Sequence, residues 1–299
     1  MREASIIHKR LRQLCRYGLL MLISLPSISI TYATEVVLVN RPLSAEDKRY
    51  DYPHKLLANI FRITEAQYGP ARVKRAHQEM ARDRTLIELE NGLDIHVIAE
   101  APKPDWEKRL IPVRIPIRKG IQGYRTFLIL QKNQSMLSKI TSLEQLKKIP
   151  TGSGKQWSTT RVLEENGFDV IKGTNYEGLF AMLIRERFVT FGRGINEIEV
   201  EYEVHKEKSP ELAIEEDLLL YIPLPTYFFV TPTKPKLAKR IEQGLLAMIK
   251  DGSFNALFTE EYGELIKRAN LSKRRMFSIN NPNLTSETPL NIKSYWYRP

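Results

Sequence analysis

Segments typical of strands and of amphipathic helices alternate along most of this 299-residue chain. Runs rich in β-branched and aromatic residues, such as 35–39 and 125–130, predict strands. Apolar residues spaced three and four apart predict helices between the strands, and residues 52–67 are a clear example, with Pro53 in the first turn. Alternation of this kind predicts an α/β fold with a largely parallel sheet covered by helices.

Local signals mark the ends of two further helices. Thr141 and Glu144 have the spacing of a capping box, in which each side chain binds the backbone N–H of the other residue. An apolar stripe over residues 237–248 predicts a helix that ends at Gly252, because glycine readily adopts the left-handed conformation that closes a helix.

The first 33 residues differ from the rest of the chain. Basic residues precede an apolar run from Tyr17 to about Ile30, and small residues surround a cleavage site after Ala33. This pattern predicts a signal peptide over residues 1–33 and therefore a periplasmic protein. An uncleaved membrane anchor is the alternative, although Pro26 and several serines leave the run shorter than the roughly 20 apolar residues of a bilayer span.

Cysteine content and charge narrow the classes of function. The only cysteine, Cys15, lies before the apolar run, so residues 34–299 have no disulfide and no thiolate. The formal charge is +11; the leader holds five basic residues and one acid, which leaves +7 on residues 34–299. Because the basic residues are dispersed, no nucleic-acid partner is expected, while an anionic small molecule is compatible with this charge.

A series of motifs from the middle of the chain onward resembles a known family. The segments SLEQLKKI (142–149), NYEGLFAMLIRERF (175–188) and IKDGSF (249–254) are similar to those of periplasmic solute-binding proteins of bacterial family 3, the polar-amino-acid type. The segments IPIRKGIQGYRTFLI (115–129) and RGINEI (193–198) look closer to a divergent, poorly characterised branch. The resemblance covers most of residues 34–280.

The resemblance implies a two-lobed periplasmic binding protein-like II fold with two crossover hinge strands. The first lobe would comprise residues 34–125 plus 226–299, and the second lobe residues 126–225. A small ligand bound between the lobes, an amino acid or another small anion, would favour closure. The closed form of a monomer would then be read by a membrane partner, either the permease of an ABC-type importer or a sensor protein.

The loop over residues 151–159 is the first candidate site. Its glycines let the backbone approach a ligand, and N–H groups at the start of the following helix can hold an anion. Ser158 and Thr159 would donate hydrogen bonds, and Trp157 could stack on the ligand. The alternative is that Ser158 is only a helix N-cap and that Trp157 packs between helices.

The second candidate is Arg193, which stands between two glycines. The resembled family places an aspartate near this position to hold a ligand ammonium group, whereas this chain has Val189 and Arg193 there. A guanidinium can bind a carboxylate or phosphate bidentately, so we expect an at least partly anionic ligand. The alternative is a purely structural ion pair between Arg193 and Glu197.

Tyr124 and Arg125, just before the hinge strand, are the third candidate pair. Here Tyr124 could instead belong to the core of the first lobe, and Arg118 is expected to be solvated.

No catalytic motif is present, the scattered histidines lack metal-ligand spacing, and no cofactor is expected. The sequence therefore predicts a non-enzymatic solute-binding protein; the alternative is an exported interaction or scaffold protein that retains the fold without binding a ligand.

Overall fold

Two β-sheets organise the protein in the computed structural model, which describes residues 33–42, 48–80 and 82–299. The predicted signal peptide, apart from Ala33, lies outside the described residues. Residues 34–299 form one compact unit. Within the described ranges, no helix is both long enough and apolar enough to span a bilayer.

The strands of the described residues are numbered in chain order. They are β1 (Glu35–Val39), β2 (Ala71–Arg75), β3 (Val97–Glu100), β4 (Ile111–Val113), β5 (Tyr124–Leu130), β6 (Thr151–Gly154), β7 (Val170–Gly173), β8 (Thr190–Gly194), β9 (Leu212–Ile214), β10 (Leu218–Tyr221), β11 (Tyr227–Val230) and β12 (Arg275–Ser278).

The α-helices are numbered in the same way. They are α1 (Asp51–Ile63), α2 (Glu65–Tyr68), α3 (Arg82–Asn91), α4 (Pro104–Arg109), α5 (Gln134–Leu137), α6 (Leu143–Lys147), α7 (Ser158–Glu165), α8 (Tyr176–Ile184), α9 (Ile198–Lys206), α10 (Pro235–Asp251) and α11 (Ser253–Ala269).

The first sheet has the order β2-β1-β3-β11-β4, and the second has the order β12-β10-β5-β8-β6-β7, with β9 paired to β5. The prediction of a largely parallel sheet is wrong, because β11 runs antiparallel to β3 and β4, and β5 runs antiparallel to β8, β9 and β10. Both strands are the first to enter a sheet after the chain has crossed from the other sheet. Neither strand follows a strand of the same sheet through a connecting helix, so neither has to run parallel to its neighbours as in a β-helix-β unit.

The chain passes from the first sheet to the second between β4 and β5, and returns between β10 and β11. These are the two crossovers that the fold class predicts, and the mixed α/β fold with two sheets is confirmed. A further crossing follows α11, because β12 pairs in parallel with β10. The sequence assigned all of residues 226–299 to the first lobe, whereas 275–278 cover the edge of the second sheet.

Hydrophobic packing explains the helices that the sequence predicts best. The stripe of α10 is buried at Leu237, Ile241, Leu245 and Met248, and the helix ends at Gly252 with φ of 85°. The predicted helix over 52–67 is divided between α1 and α2 at Thr64. The capping box is shifted by one residue: Ser142 accepts from the backbone of Gln145, whose side chain binds back.

His54 on α1 makes stability depend on pH. Burial and the neighbouring charge of Arg75 on β2 lower the pKa of His54 to about 4, against a smaller opposing effect of Asp51. The unfolded chain takes up this proton at about pH 6.5 and the folded chain only near pH 4, so acidification through this range favours unfolding. We expect His54→Gln to reduce the fall in melting temperature between pH 7 and pH 5, relative to the exposed control His77→Gln. Equal slopes for the two variants would contradict this assignment.

Candidate functional site

A cavity of about 460 Å³ lies where strands of both sheets end. Residues after β1 and β3 of the first sheet line it, together with residues after β6 and β7 of the second sheet and residues of both crossovers. The volume lies within the range of small-molecule sites, about 300–1,000 Å³. The carboxyl ends of strands are also where α/β proteins usually bind ligands.

Most of the residues singled out from the sequence meet at this cavity. Trp157, Ser158, Thr159, Arg125 and Arg193 line it.

Tyr124 lies elsewhere, in the first hydrophobic core, and does not line the cavity. Its ring packs 4.7 Å from that of Tyr221, and its hydroxyl donates to the carbonyl of Tyr297 at 3.2 Å. Successive side chains of a strand point to opposite faces, so β5 presents Arg125 to the cavity and Tyr124 to the core. The alternative interpretation of Tyr124 as core is the one that the structure supports.

The loop after β6 is held in one shape by close packing. A Cβ on Gly154 would lie 2.5 Å from the Trp157 ring, so only glycine fits beneath the indole. The Thr160 hydroxyl donates to the Gly154 carbonyl at 2.5 Å and lies 2.7 Å from the Ser153 hydroxyl. Trp157, rather than Ser158, is the N-cap residue of α7, and the Trp157 side chain makes no capping hydrogen bond. The start of α7, where the helix dipole is positive, lines the cavity at Ser158 and Thr159.

Arg193 is neutralised by two carboxylates, one of which, Glu197, lines the cavity with it. Its Nε and Nη2 lie 2.6 Å from the two carboxylate oxygens of Glu201, and Nη2 lies 3.0 Å from Glu197. The Tyr176 hydroxyl also donates to Glu201, at 2.8 Å. Burial alone would lower the pKa of Arg193, but Glu197 and Glu201 raise it above its usual range. The pairing with Glu197 that the sequence left open is formed, with Glu201 as a second and closer partner.

Glu201 is a residue that the sequence analysis missed. The acids of 197–203 alternate along a charged segment, a pattern typical of a solvated surface, yet Glu201 is only 7% exposed. Helix α9 places Glu201 one turn after Glu197, on the side facing Arg193. That four-residue spacing was the signal that could have found it. The arginines around Glu197 also outweigh the effect of burial and hold the pKa of its carboxyl below its usual range.

Arg125 is buried and donates its hydrogen bonds to backbone carbonyls. It is 5% exposed, and it donates to the carbonyls of Gln122, at 3.3 Å, and Gly192. No carboxylate in the described ranges lies within the 4.0 Å of an ion pair. Burial and the nearby charge of Arg193 lower the pKa of Arg125 to about 10, so it remains a cation at neutral pH.

Arg118 is in a similar position, which makes the expectation of a solvated Arg118 wrong. It is 7% exposed and lines the cavity. It donates to the Tyr262 hydroxyl at 3.1 Å, to the Thr226 hydroxyl at 3.4 Å and to the Arg49 carbonyl. Within the described part of the chain it also has no carboxylate at ion-pair distance. Two buried guanidinium groups without carboxylate partners thus face one cavity.

Side chains from the two sheets meet at the rim of the cavity. Gln156, after β6, donates to Asp83 of α3 at 2.8 Å, and its carbonyl accepts from Lys103 at 2.8 Å. The Arg49 guanidinium lies 5.7 Å from the centre of the Tyr176 ring. These contacts link the two sides of the cavity at its rim.

The described ranges contain no cluster of three or more His, Cys, Asp or Glu side chains that could hold a metal ion. The cavity presents three kinds of group that could recognise a ligand: guanidinium groups, a helix N-terminus and an indole. Guanidinium groups bind carboxylates and phosphates with two parallel hydrogen bonds, and a buried cation is stabilised by such a counter-charge.

Trp157 provides an optical signal for binding. Of the three tryptophans, all within the described residues, Trp157 lines the cavity, whereas Trp106 and Trp296 are buried elsewhere. We expect an anionic ligand to change the tryptophan emission, because the indole already stacks at 4.6 Å on the charged Arg193. Trp157→Phe should lose this response and Trp296→Phe should keep it. An unchanged response in Trp157→Phe would place the ligand elsewhere.

No protein-family profile and no curated protein sequence matches the chain. Solved structures do match. A periplasmic binding protein of an arginine transport system from Legionella pneumophila is 16% identical with a TM-score of 0.56, over 77% of this chain and 100% of that one. A histidine kinase sensor domain with similarity to periplasmic binding proteins is 14% identical with a TM-score of 0.55, over 78% and 97%.

A third match is an ancestral amino-acid-binding protein, the precursor of cyclohexadienyl dehydratase. It is 16% identical with a TM-score of 0.52, over 76% of this chain and 95% of the other. At these identities the matches establish the fold, and the resemblance to periplasmic solute-binding proteins is confirmed at that level. Most of the matched structures are binding proteins.

Proposed function

We propose that this chain, which has the periplasmic binding protein-like II fold, captures a small ligand with an acidic group in the cavity between its two sheets. The observation that carries the proposal is the pair Arg118 and Arg125. Both guanidinium groups are buried, both line the cavity, and neither has a carboxylate at ion-pair distance among the described residues.

The charges around the cavity favour an anion over a cation. Arg193 is compensated by Glu197 and Glu201, and these three groups together carry a formal charge of −1, which the +2 of Arg118 and Arg125 exceeds. Arg118 and Arg125 add two positive charges that their carbonyl and hydroxyl acceptors do not neutralise. A ligand carboxylate or phosphate between them would supply the missing counter-charge. Nη1 of Arg193, together with Ser158 and Thr159 at the start of α7, would give further donors.

The fold and the leader suggest how binding is used. We place the protein in the periplasm as a monomer, exported by the predicted signal peptide. One lobe would comprise residues 34–125 plus 226–299 apart from β12, and the other would comprise residues 126–225. The two lobes would close on the ligand. The closed form would be recognised by the permease of an ABC-type importer or by a membrane sensor. The matched structures include a transport-system binding protein and a kinase sensor domain, which support both kinds of partner.

We propose that the protein binds its ligand without catalysing a reaction. The lowered pKa of Glu197 keeps this carboxylate ionised at neutral pH, where it is a poor proton donor. A scaffold that had lost its ligand would be expected to fill the cavity with its own side chains. The 460 Å³ lined by convergent polar groups favours the receptor over that alternative.

The test is thermal unfolding of residues 34–299 with amino acids, dicarboxylates, organophosphates and polyamines. A ligand at a hundred times its dissociation constant adds about 2.7 kcal/mol of stability. We expect a carboxylate- or phosphate-bearing compound to raise the melting temperature of the native chain. A flat response to all four classes, or a shift with polyamines alone, would contradict the proposal.

A further inference from the structure

The last twenty residues, 280–299, run from the second sheet back to the first. We call this segment the C-terminal strap. It leaves β12 in the second sheet, and its side chains and backbone then contact both crossovers and a helix of the first-sheet side. The sequence, rich in Asn and Pro, predicts only a tail on the surface, yet Asn281, Asn283 and Thr288 are buried.

Two asparagines attach the strap to segments that line the cavity. The Asn283 amide donates to the carbonyl of Ser158 in the first turn of α7 at 3.0 Å, and Asn283 is 1% exposed. The Asn281 amide donates at 2.8 Å to the carbonyl of Pro223, beside the cavity-lining Leu224 of the second crossover. The Asn281 side-chain oxygen accepts from the Asn283 backbone at 3.0 Å, which fixes the two residues relative to each other.

The next part of the strap attaches to the first-sheet side. The Thr285 hydroxyl donates at 3.1 Å to Glu107 on α4, whose side chain is 4% exposed. Glu287 forms an ion pair with Arg114, which also binds Glu107 at 2.9 Å. A span of two residues, from Asn283 to Thr285, thus connects α7 on one side with α4 on the other.

The end of the strap packs on the first crossover. Trp296 covers Gly120, whose φ is 70°, and a Cβ there would lie 2.5 Å from the indole. The Tyr297 N–H donates at 2.7 Å to the carbonyl of Lys119, the residue after Arg118. The strap therefore holds the backbone beside Arg118, one of the two buried arginines that line the cavity.

We propose that the C-terminal strap limits how far the two sheets separate, with Asn281 and Asn283 as its attachment points at the second crossover and at α7. Two crossovers alone form a hinge, and a hinge opens through changes in a few backbone dihedral angles while each side keeps its own packing. The strap adds a link that is bonded on both sides of that hinge, in addition to the exposed rim contacts of Gln156 with Asp83 and Lys103. Separation of α7 from α4 must break the bond of Asn283 or that of Thr285. The proposal concerns the chain without ligand and stands independently of the proposed function.

The test measures the distance between the two sides in the absence of ligand. Residues 34–299 lack cysteine, so spin labels at Ala66→Cys on α2 and Ala181→Cys on α8, both exposed, would be the only ones. We expect Asn281→Ala/Asn283→Ala to broaden the distance distribution and shift it to longer values by several ångströms. The matched control, Asn280→Ala, removes an exposed side chain and should leave the distribution unchanged. Identical distributions in the native chain and the folded double variant would overturn the proposal.

A second variant covers the case in which loss of the buried asparagines unfolds the chain. Thr285→Val/Glu287→Gln releases the other end of the link, and Glu287 is largely exposed, with 66% of its side chain accessible. The same broadening is expected for this variant. A folded Thr285→Val/Glu287→Gln protein with the native distance distribution would overturn the proposal by itself.

Discussion

Replacement of Arg125 by methionine is expected to weaken binding of the anionic ligand by at least about 30-fold. Removal of one partner of a buried charge pair costs about 2–5 kcal/mol, and each 1.4 kcal/mol is a tenfold change in affinity. In Arg125→Met the ligand loses a guanidinium that is 5% exposed and that has no carboxylate of the described residues within ion-pair distance. Isothermal titration with the anion found in the thermal screen measures the effect.

Arg240 offers a matched control for Arg125. It is also buried, at 1% exposure, and donates to Thr64 and to the carbonyls of Phe61 and Gly69, outside the cavity lining, although it differs from Arg125 in having Glu35 at 3.8 Å. We expect Arg240→Met to lower stability, because these acceptors lose their donor, and to leave the affinity of the remaining folded protein unchanged. An affinity of Arg125→Met within threefold of the native value would remove Arg125 from the site.

Glu201→Leu should produce the largest loss of stability, about 3 kcal/mol in urea unfolding. Breaking a buried ion pair by removal of one partner costs about 3–5 kcal/mol, and we take the lower figure because Glu197 still contacts Arg193. The Tyr176 hydroxyl loses its acceptor in the same change. Glu203→Gln, on the same helix but with 61% of its side chain exposed, is the control and should change stability by less than about 0.5 kcal/mol.

The triple change Arg193→Met/Glu197→Leu/Glu201→Leu tests the cause of that loss, because it removes Arg193 together with both of its carboxylate partners. Replacement of a whole set of buried, paired charges by apolar residues of similar volume is often neutral or stabilising. The triple variant should therefore recover most of the stability that Glu201→Leu loses. If the triple variant is as unstable as the single one, packing rather than the unpaired charge explains the defect.

Much of the fold follows from patterns that the sequence displays. The strand β5 is buried at every position, and the stripe and terminal glycine of α10 lie where the periodicity predicts them. Strand β12 could not be predicted in the same way. Its residues are mostly exposed, without alternation, and its position depends on backbone pairing with β10, 57 residues earlier in the register.

The site was predictable where local geometry determines it. Trp157, Ser158 and Thr159 follow a strand and begin a helix, and such residues meet at the carboxyl edge of a sheet. Arg118 was missed because its partners Tyr262 and Thr226 lie 144 and 108 residues away in the sequence. Whether an arginine is solvated or buried is decided by such distant residues, and no local pattern encodes them.

The central claim is that the cavity binds a small anion through Arg118 and Arg125. Its most direct test is to equilibrate residues 34–299 with a bacterial metabolite extract, wash the protein, denature it and identify the released compounds by mass spectrometry. We predict one carboxylate- or phosphate-bearing compound released from the native protein at close to one equivalent, and absent from Arg125→Met. Release of no enriched compound, or of the same compound equally from Arg125→Met, would contradict the claim.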